Sequence, residues 1–146
     1  MTETLRVAVI GAGRMGADHI QCLSKRIHGA EVAAVVDVDL ARAEAAIEGI
    51  PGAVALADAE EALNNGDVNA VLIATPGFLH EDILLKAIEK DIPILCEKPL
   101  TPDAESSWKI EDLVSKFGEG IHEGDSVVVA LLGPGKVALT DRKSVV

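Results

Sequence analysis

Val7-Ala8-Val9-Ile10-Gly11-Ala12-Gly13-Arg14-Met15-Gly16 begins with four apolar residues and ends on three glycines at G-x-G-x-x-G spacing. The apolar run, taken over Leu5–Ile10, does not alternate with polar residues, which predicts a strand covered on both faces. After the glycines, Ile20, Leu23 and Ile27 recur at helical spacing with Lys25 and Arg26 turned outward, so a helix is predicted over Met15–Ile27. In a strand–turn–helix unit each glycine has its own task. Gly11 permits the tight turn, Gly13 has no side chain to obstruct an approaching pyrophosphate, and Gly16 lets the helix close on the sheet. The helix start then directs free N–H groups and a partial positive charge at that anion.

Outward from this unit the pattern repeats. Apolar runs at Glu31–Val36, Ala53–Leu56, Ala70–Ala74, Ile92–Cys96 and Ser126–Leu132 read as further strands. Between them, helices are predicted near Leu40–Ile47, Ala59–Asn64, Glu81–Lys90 and Ala104–Phe117. Such alternation implies an α/β fold, a doubly wound and mostly parallel sheet of Rossmann type with expected strand order 3-2-1-4-5-6.

Asp37 stands 21 residues after Gly16, just past the second predicted strand. A carboxylate there accepts hydrogen bonds from the adenosine ribose hydroxyls and repels a 2′-phosphate, while Val38-Asp39 supplies no compensating arginine. The expected cofactor is therefore NAD in preference to NADP. S-adenosylmethionine enzymes also place an acid after strand two, but the third glycine favours a dinucleotide. The fourth predicted strand ends in Ala74-Thr75-Pro76-Gly77-Phe78-Leu79-His80, where Thr75 and His80 are candidate ligand contacts, against an ordinary strand exit and a polar helix start. The fifth ends in Cys96-Glu97-Lys98-Pro99. A desolvated lysine at a strand's carboxyl end is suited to moving the proton of a reacting hydroxyl, against the alternative of a Glu97–Lys98 surface pair before a proline stop. Cys96 reads as a packed thiol and Cys22 as a core or boundary residue.

Composition narrows the classes further. Among 146 residues, thirteen Lys and Arg face twenty-four Asp and Glu, a formal net charge of −11. That charge disfavours nucleic acid and anionic membranes, and three aromatics (Phe78, Trp108, Phe117) make no base-stacking platform. Two cysteines fit a reducing compartment, and no run has signal-peptide or membrane-spanning character, so a cytoplasmic protein is expected. The four histidines and two cysteines show no metal-ligand spacing. From Asp37 to Asp67 eight acids accompany one base, Arg42, which reads as a solvated face with no binding role.

VAVIGAGRMGADHI, EVAAVVDVD, AVLIATPGFLH and ILCEKPLT, in this order, resemble the glucose-fructose oxidoreductase/inositol dehydrogenase/rhizopine-catabolism (Gfo/Idh/MocA) family, most of all its bacterial inositol 2-dehydrogenase group, from about Arg6 to Phe117. The resemblance implies a nicotinamide-dependent oxidoreductase acting on a sugar or polyol hydroxyl. It assigns Gly11, Gly13 and Gly16, with Arg14 and Met15 between them, to the phosphate loop and Asp37 to the ribose. It assigns Thr75 and His80 to the strand-four loop. It gives Glu97, Lys98 and Pro99 to the EKP signature, with Lys98 at the catalytic centre and Pro99 shaping the turn beside the nicotinamide. The alternative is a non-catalytic dinucleotide sensor of the same fold, against which the EKP turn argues.

The family continues into a second α/β domain that supplies a catalytic histidine and most substrate contacts, and through which its members commonly form homo-oligomers. The expected organisation here is a dinucleotide-binding domain over 1–125 and a sixth strand or out-of-frame segment over 126–140. The closing 141–146, Asp-Arg-Lys-Ser-Val-Val, matches one frame of the sequencing adaptor GATCGGAAGAGCGTCGTG. With that second domain lacking, the chain is expected to bind NAD without turning over substrate.

Overall fold

The computed structural model describes residues 3–90, 92–97, 101–116, 121–123, 128–131 and 137–139. They fall into two compact units, Met1–Thr75 and Pro76–Val146.

The first unit holds strands β1 (Leu5–Ile10), β2 (Ala30–Val36), β3 (Val54–Leu56) and β4 (Ala70–Ile73) and helices α1 (Arg14–Lys25), α2 (Leu40–Ala46) and α3 (Ala59–Leu63). All four strands are parallel, in the order β3-β2-β1-β4. This is the fold class read from the sequence, an α/β sheet of Rossmann type. Steps from β1 to β3 run one way across the sheet and the step to β4 runs back. Right-handed crossovers therefore put α1 and α2 on one face and α3 on the other. The strands are apolar throughout because both faces are covered: Ala8, Val9, Ala34, Val35 and Ile73 have no measurable exposure. Burying a side chain the size of Val9 or Ile73 stabilises the fold by roughly 1.5–3 kcal/mol. The lower edge is pinned by Asn69, whose side chain accepts the Arg6 N–H at 2.6 Å while its own N–H donates to the Arg6 carbonyl at 3.0 Å.

α1 buries Gly16, Ile20 and Leu23, but the expected continuation to Ile27 fails. The N–H groups of Arg26 and Ile27 both donate to the Cys22 carbonyl, which closes the helix at Lys25, and Gly29 at φ +85° turns the chain into β2. Ile27 is left 49% exposed. α2 and α3 begin at Asp39 and Asp58, whose carboxylates accept the Arg42 and Glu60 N–H groups. Each such cap contributes on the order of 1 kcal/mol. Apart from Asp37, the acids between Asp37 and Asp67 lie on the exposed surface, as expected.

In the second unit, a single 3₁₀ turn (Gly77–Leu79) leads into α4 (His80–Glu89), followed by β5 (Ile94–Glu97) and α5 (Ala104–Lys116). The inner side of α4 is His80, Ile83, Leu84, Ala87 and Ile88. Asp103 caps α5 by accepting the Ser106 N–H at 2.8 Å, and Lys109 pairs with Glu81 at 3.6 Å. Three short strands follow, β6 (Ile121–Glu123), β7 (Val128–Leu131) and β8 (Val137–Leu139). β7 lies within the apolar run Ser126–Leu132 and pairs antiparallel with β5 and with β8. Only five residues separate β7 from β8, and a connection that short permits only antiparallel pairing.

Candidate functional site

The order β3-β2-β1-β4 reverses between β1 and β4, and a crevice outside the carboxyl ends of these two strands is where this architecture binds ligands. The residues that shape it follow directly from β1. Gly11 has φ +99°, and its N–H donates to the Val36 carbonyl at 2.7 Å, tying the turn to β2. A Cβ on Gly11 would stand 2.8 Å from the backbone of Ala74 and 2.9 Å from the Thr75 nitrogen. The exits of β1 and β4 therefore touch through a position only glycine fills. A Cβ on Gly16 would overlap the Gly11 carbonyl oxygen, so the first turn of α1 lies directly against the loop. The third glycine thus serves helix-to-turn contact as well as helix-to-sheet contact.

Gly13 differs from both. A Cβ there meets nothing within 4 Å, and the residue is exposed. It is the N-cap of α1 and, as a glycine, supplies no side-chain cap to the N–H groups of the first turn. Arg14 and Met15 are exposed on that turn. Tight packing behind the loop with open space in front of it is the form a diphosphate requires.

Asp37 follows β2 and is only 7% exposed. Its carboxylate accepts the Ala12 N–H at 3.0 Å and the Asp39 N–H at 2.9 Å. Arg42, in the first turn of α2, reaches back so that Nη1 lies 3.4 Å from both Asp37 oxygens, and Nη2 lies 3.8 Å from Asp39. Burial pushes the Asp37 carboxyl up, but the amides of Asp39 and Ala12 and the Arg42 guanidinium outweigh it and hold the group below the usual carboxylate range. A depressed folded-state value means a contribution to stability that is complete above the unfolded value, near pH 4, and is lost as pH falls through the folded one. The stability difference between the wild type and Asp37→Asn in urea titrations is accordingly flat from pH 7 to 5 and shrinks below about pH 4. A difference that shrinks between pH 7 and 5 contradicts this assignment.

Arg42 is the residue the sequence reading missed. Charge patterning makes it the lone base of a solvated face, yet it meets the buried carboxylate five residues earlier in the chain. The available signal was Asp39: an N-cap at that position starts α2 and turns residue 42 back toward β2.

Thr75 ends the first unit beside Gly11, its backbone nitrogen defining the close approach described above. In the second unit, His80 is fully buried at the start of α4, and Glu97 is buried at the end of β5. Cys96 is likewise buried, and burial followed by the Glu97 carboxylate pushes its thiol well up, out of nucleophilic range. Lys98 and Pro99 lie outside the described residues. Among the described residues there is no group of His, Cys, Asp and Glu able to hold a metal, and no helix long and apolar enough to cross a membrane. A cavity of about 750 Å³ between α1 and the α2–β3 loop, lined by Leu23, Ile27, Val32, Ile50 and Pro51, lies at the amino end of β2, the end opposite the glycine turn.

A reversing parallel sheet with a glycine turn at its switch point and an acid after β2 defines a nucleotide-binding Rossmann domain. The chain belongs to the GFO_IDH_MocA oxidoreductase family, NAD-binding Rossmann fold, whose model matches residues 5–124. It is 94% identical over 118 residues to the inositol 2-dehydrogenase of Pseudarthrobacter chlorophenolicus, a match covering 81% of this chain and 35% of that protein. The inositol 2-dehydrogenase of Arthrobacter sp. (strain FB24) is 88% identical over the same length and coverage. Among solved structures, myo-inositol dehydrogenase from Lactobacillus casei in complex with NAD(H) and myo-inositol superposes with a TM-score of 0.75 at 36% identity, covering 80% of this chain and 34% of that one. The chain therefore spans about a third of the length of the relatives it matches.

Proposed function

We propose that this chain is the NAD-binding part of a dehydrogenase that transfers hydride between an inositol-like polyol or sugar hydroxyl and a nicotinamide cofactor. The observation that carries the reading is the pairing of an open glycine, Gly13, with a buried carboxylate, Asp37, fixed by the Ala12 amide of the same loop. The loop residues Gly11–Gly16, including Arg14 and Met15, would receive the diphosphate. Asp37 would accept the ribose hydroxyls, and its charge disfavours a 2′-phosphate, hence NAD over NADP. Thr75 and His80 would border the ligand from the strand-four side, with Glu97 and Pro99 shaping the turn that carries Lys98. When bound, the nicotinamide supplies the hydride acceptor. Lys98 would hold or move the proton of the reacting hydroxyl, since a lysine amine can hydrogen-bond an alcohol and take part in its proton transfer.

The match to inositol 2-dehydrogenases supports a small polyol as substrate. The formal net charge of −11 supports a role without nucleic acid or anionic membrane, and the family resemblance is the ground for inferring a homo-oligomeric whole protein. Because the chain spans a third of those relatives, we infer that it binds the cofactor without turnover on its own. Calorimetric titration with NAD and NADP, together with an assay on myo-inositol, tests the reading. NAD binds the wild type more tightly than NADP, Asp37→Ala weakens NAD about tenfold and narrows its advantage, and no NADH accumulates. An Asp37→Ala variant with unchanged cofactor preference removes the ribose role, and steady turnover by the chain alone contradicts the division of labour.

A further inference from the structure

The chain has three asparagines, Asn64, Asn65 and Asn69, all between α3 and β4, and one of them precedes a glycine. Asn65 is half-buried and opens a tight turn in which the Val68 N–H donates to its carbonyl at 3.0 Å. Its side-chain Oδ1 accepts the Asp67 N–H at 2.9 Å. Gly66 is exposed, lies outside the left-handed backbone region, and would meet nothing within 4 Å if it carried a Cβ. Among the described residues, no hydrogen bond engages its N–H. We propose that Asn65-Gly66 is a modification site, at which the asparagine loses ammonia and becomes aspartate or isoaspartate with water as the only co-reactant.

The Gly66 nitrogen, once deprotonated, attacks Asn65 Cγ. A bond forms between that nitrogen and Cγ, the Cγ–Nδ2 bond breaks, and ammonia leaves with a proton equivalent to the one Gly66 gave up, closing a five-membered imide. Water then opens the ring at either carbonyl. Breaking the bond from the Gly66 nitrogen to Cγ gives aspartate. Breaking its bond to the Asn65 main-chain carbonyl carbon gives isoaspartate, whose main chain is longer by one methylene. Negative charge builds on Oδ1 during the attack, and the Asp67 N–H already donates there, so the turn holds an oxyanion donor in place before reaction begins. The neighbouring asparagines lack this setting. The nitrogen that follows Asn64 donates to the Ala62 carbonyl at 3.2 Å, and Asn69 is followed by Ala70, which carries a Cβ and is buried in β4. The turn leads into the latch at the amino end of β1, where the Asp67 carbonyl accepts Arg6 Nε at 3.1 Å and Asn69 holds the Arg6 main chain. Aspartate keeps an oxygen for the Asp67 N–H, whereas isoaspartate lengthens the main chain inside the turn and loosens the latch. Either product adds a negative charge to a chain already at −11.

The site stands at the amino ends of β1 and β4, away from the glycine turn, so its test is independent of the nucleotide reading. The 146-residue chain is incubated in native buffer and in urea across a series of pH values. The tryptic peptide Ala43–Lys86, which carries all three asparagines, is then mapped by mass spectrometry, and the aspartate and isoaspartate forms are separated chromatographically. The mass gain of deamidation is found at Asn65, with Asn64 and Asn69 unmodified, and its rate rises with hydroxide concentration. The reaction is roughly tenfold faster in the folded chain than in urea, a modest share of what a fixed oxyanion donor supplies in a water-excluded site. Gly66→Pro, which has no N–H to give and suits the second position of a turn, abolishes it. Gly66→Ala, whose Cβ enters open space, slows it and carries the comparison where the proline variant does not fold. The isoaspartate form melts below the aspartate form, which melts with the unmodified chain. No mass gain at Asn65, a reaction no faster in the folded chain than in urea, or an unchanged rate in the folded Gly66 variant overturns the site. Equal melting of the two products overturns the loosening of the latch.

Discussion

Replacing Gly11 by alanine destabilises the first unit by about 2–6 kcal/mol and abolishes measurable cofactor binding. Two costs add. A non-glycine residue held at φ +99° pays roughly 1–3 kcal/mol. A Cβ 2.8 Å from the backbone of Ala74 forces the exits of β1 and β4 apart, at a further 1–3 kcal/mol typical of overpacking. Relief cannot come from a rotamer change, because the atoms it meets are backbone. Against a total stability on the order of 5–15 kcal/mol, this is enough to leave much of the chain unfolded. Gly13→Ala gives the opposite pattern. Its Cβ enters open space, so urea denaturation shifts by no more than about 1 kcal/mol, the difference between glycine and alanine at an N-cap. Affinity for NAD nonetheless falls at least tenfold if the diphosphate passes over that residue. Equal stability losses in the two variants contradict the division of the loop into a packed side and an open side. Unchanged NAD affinity in Gly13→Ala places the diphosphate elsewhere.

Lys98→Met has the second large effect, and its readout requires the remaining length of a relative. A chimera joins this chain's family-matched residues to the rest of the Pseudarthrobacter chlorophenolicus protein, 94% identical where the two overlap. In it, the substitution lowers kcat by a factor of about 10²–10⁴, the range of a lost acid–base group, while the Kd for NAD changes less than threefold. That combination is the signature of an interaction made in the transition state alone. A parallel loss of kcat and of NAD affinity makes Lys98 a structural residue of the turn.

The first unit was legible because each of its signals is local. Short uninterrupted apolar runs bounded by turn residues fit strands covered on both sides, and three glycines at fixed spacing between a strand and an amphipathic helix fit a close turn joining the two. The place of Asp37 just past β2 followed from its distance along the chain. Arg42 did not, because its role depends on α2 folding back across the end of β2, and charge counting along the sequence sees only a base among eight acids. Ile27 fitted the helical period, but the period carries no information about the N–H groups of Arg26 and Ile27 both turning to the Cys22 carbonyl. For β7 the apolar run marks a strand, whereas its direction against β8 follows from the five residues that join the two. Pairing direction is a property of connectivity, and an apolar run alone does not encode it.

The most direct test of the central claim follows backbone amide resonances of the folded chain by NMR as NAD is added. Saturable, one-to-one shifts concentrated at Ala12, Gly13, Arg14, Met15, Gly16, Val38 and Thr75 are the result this account predicts. Shifts confined to Leu23, Val32 and Ile50 around the α1–α2 cavity, or none at all from a well-dispersed spectrum, would contradict it.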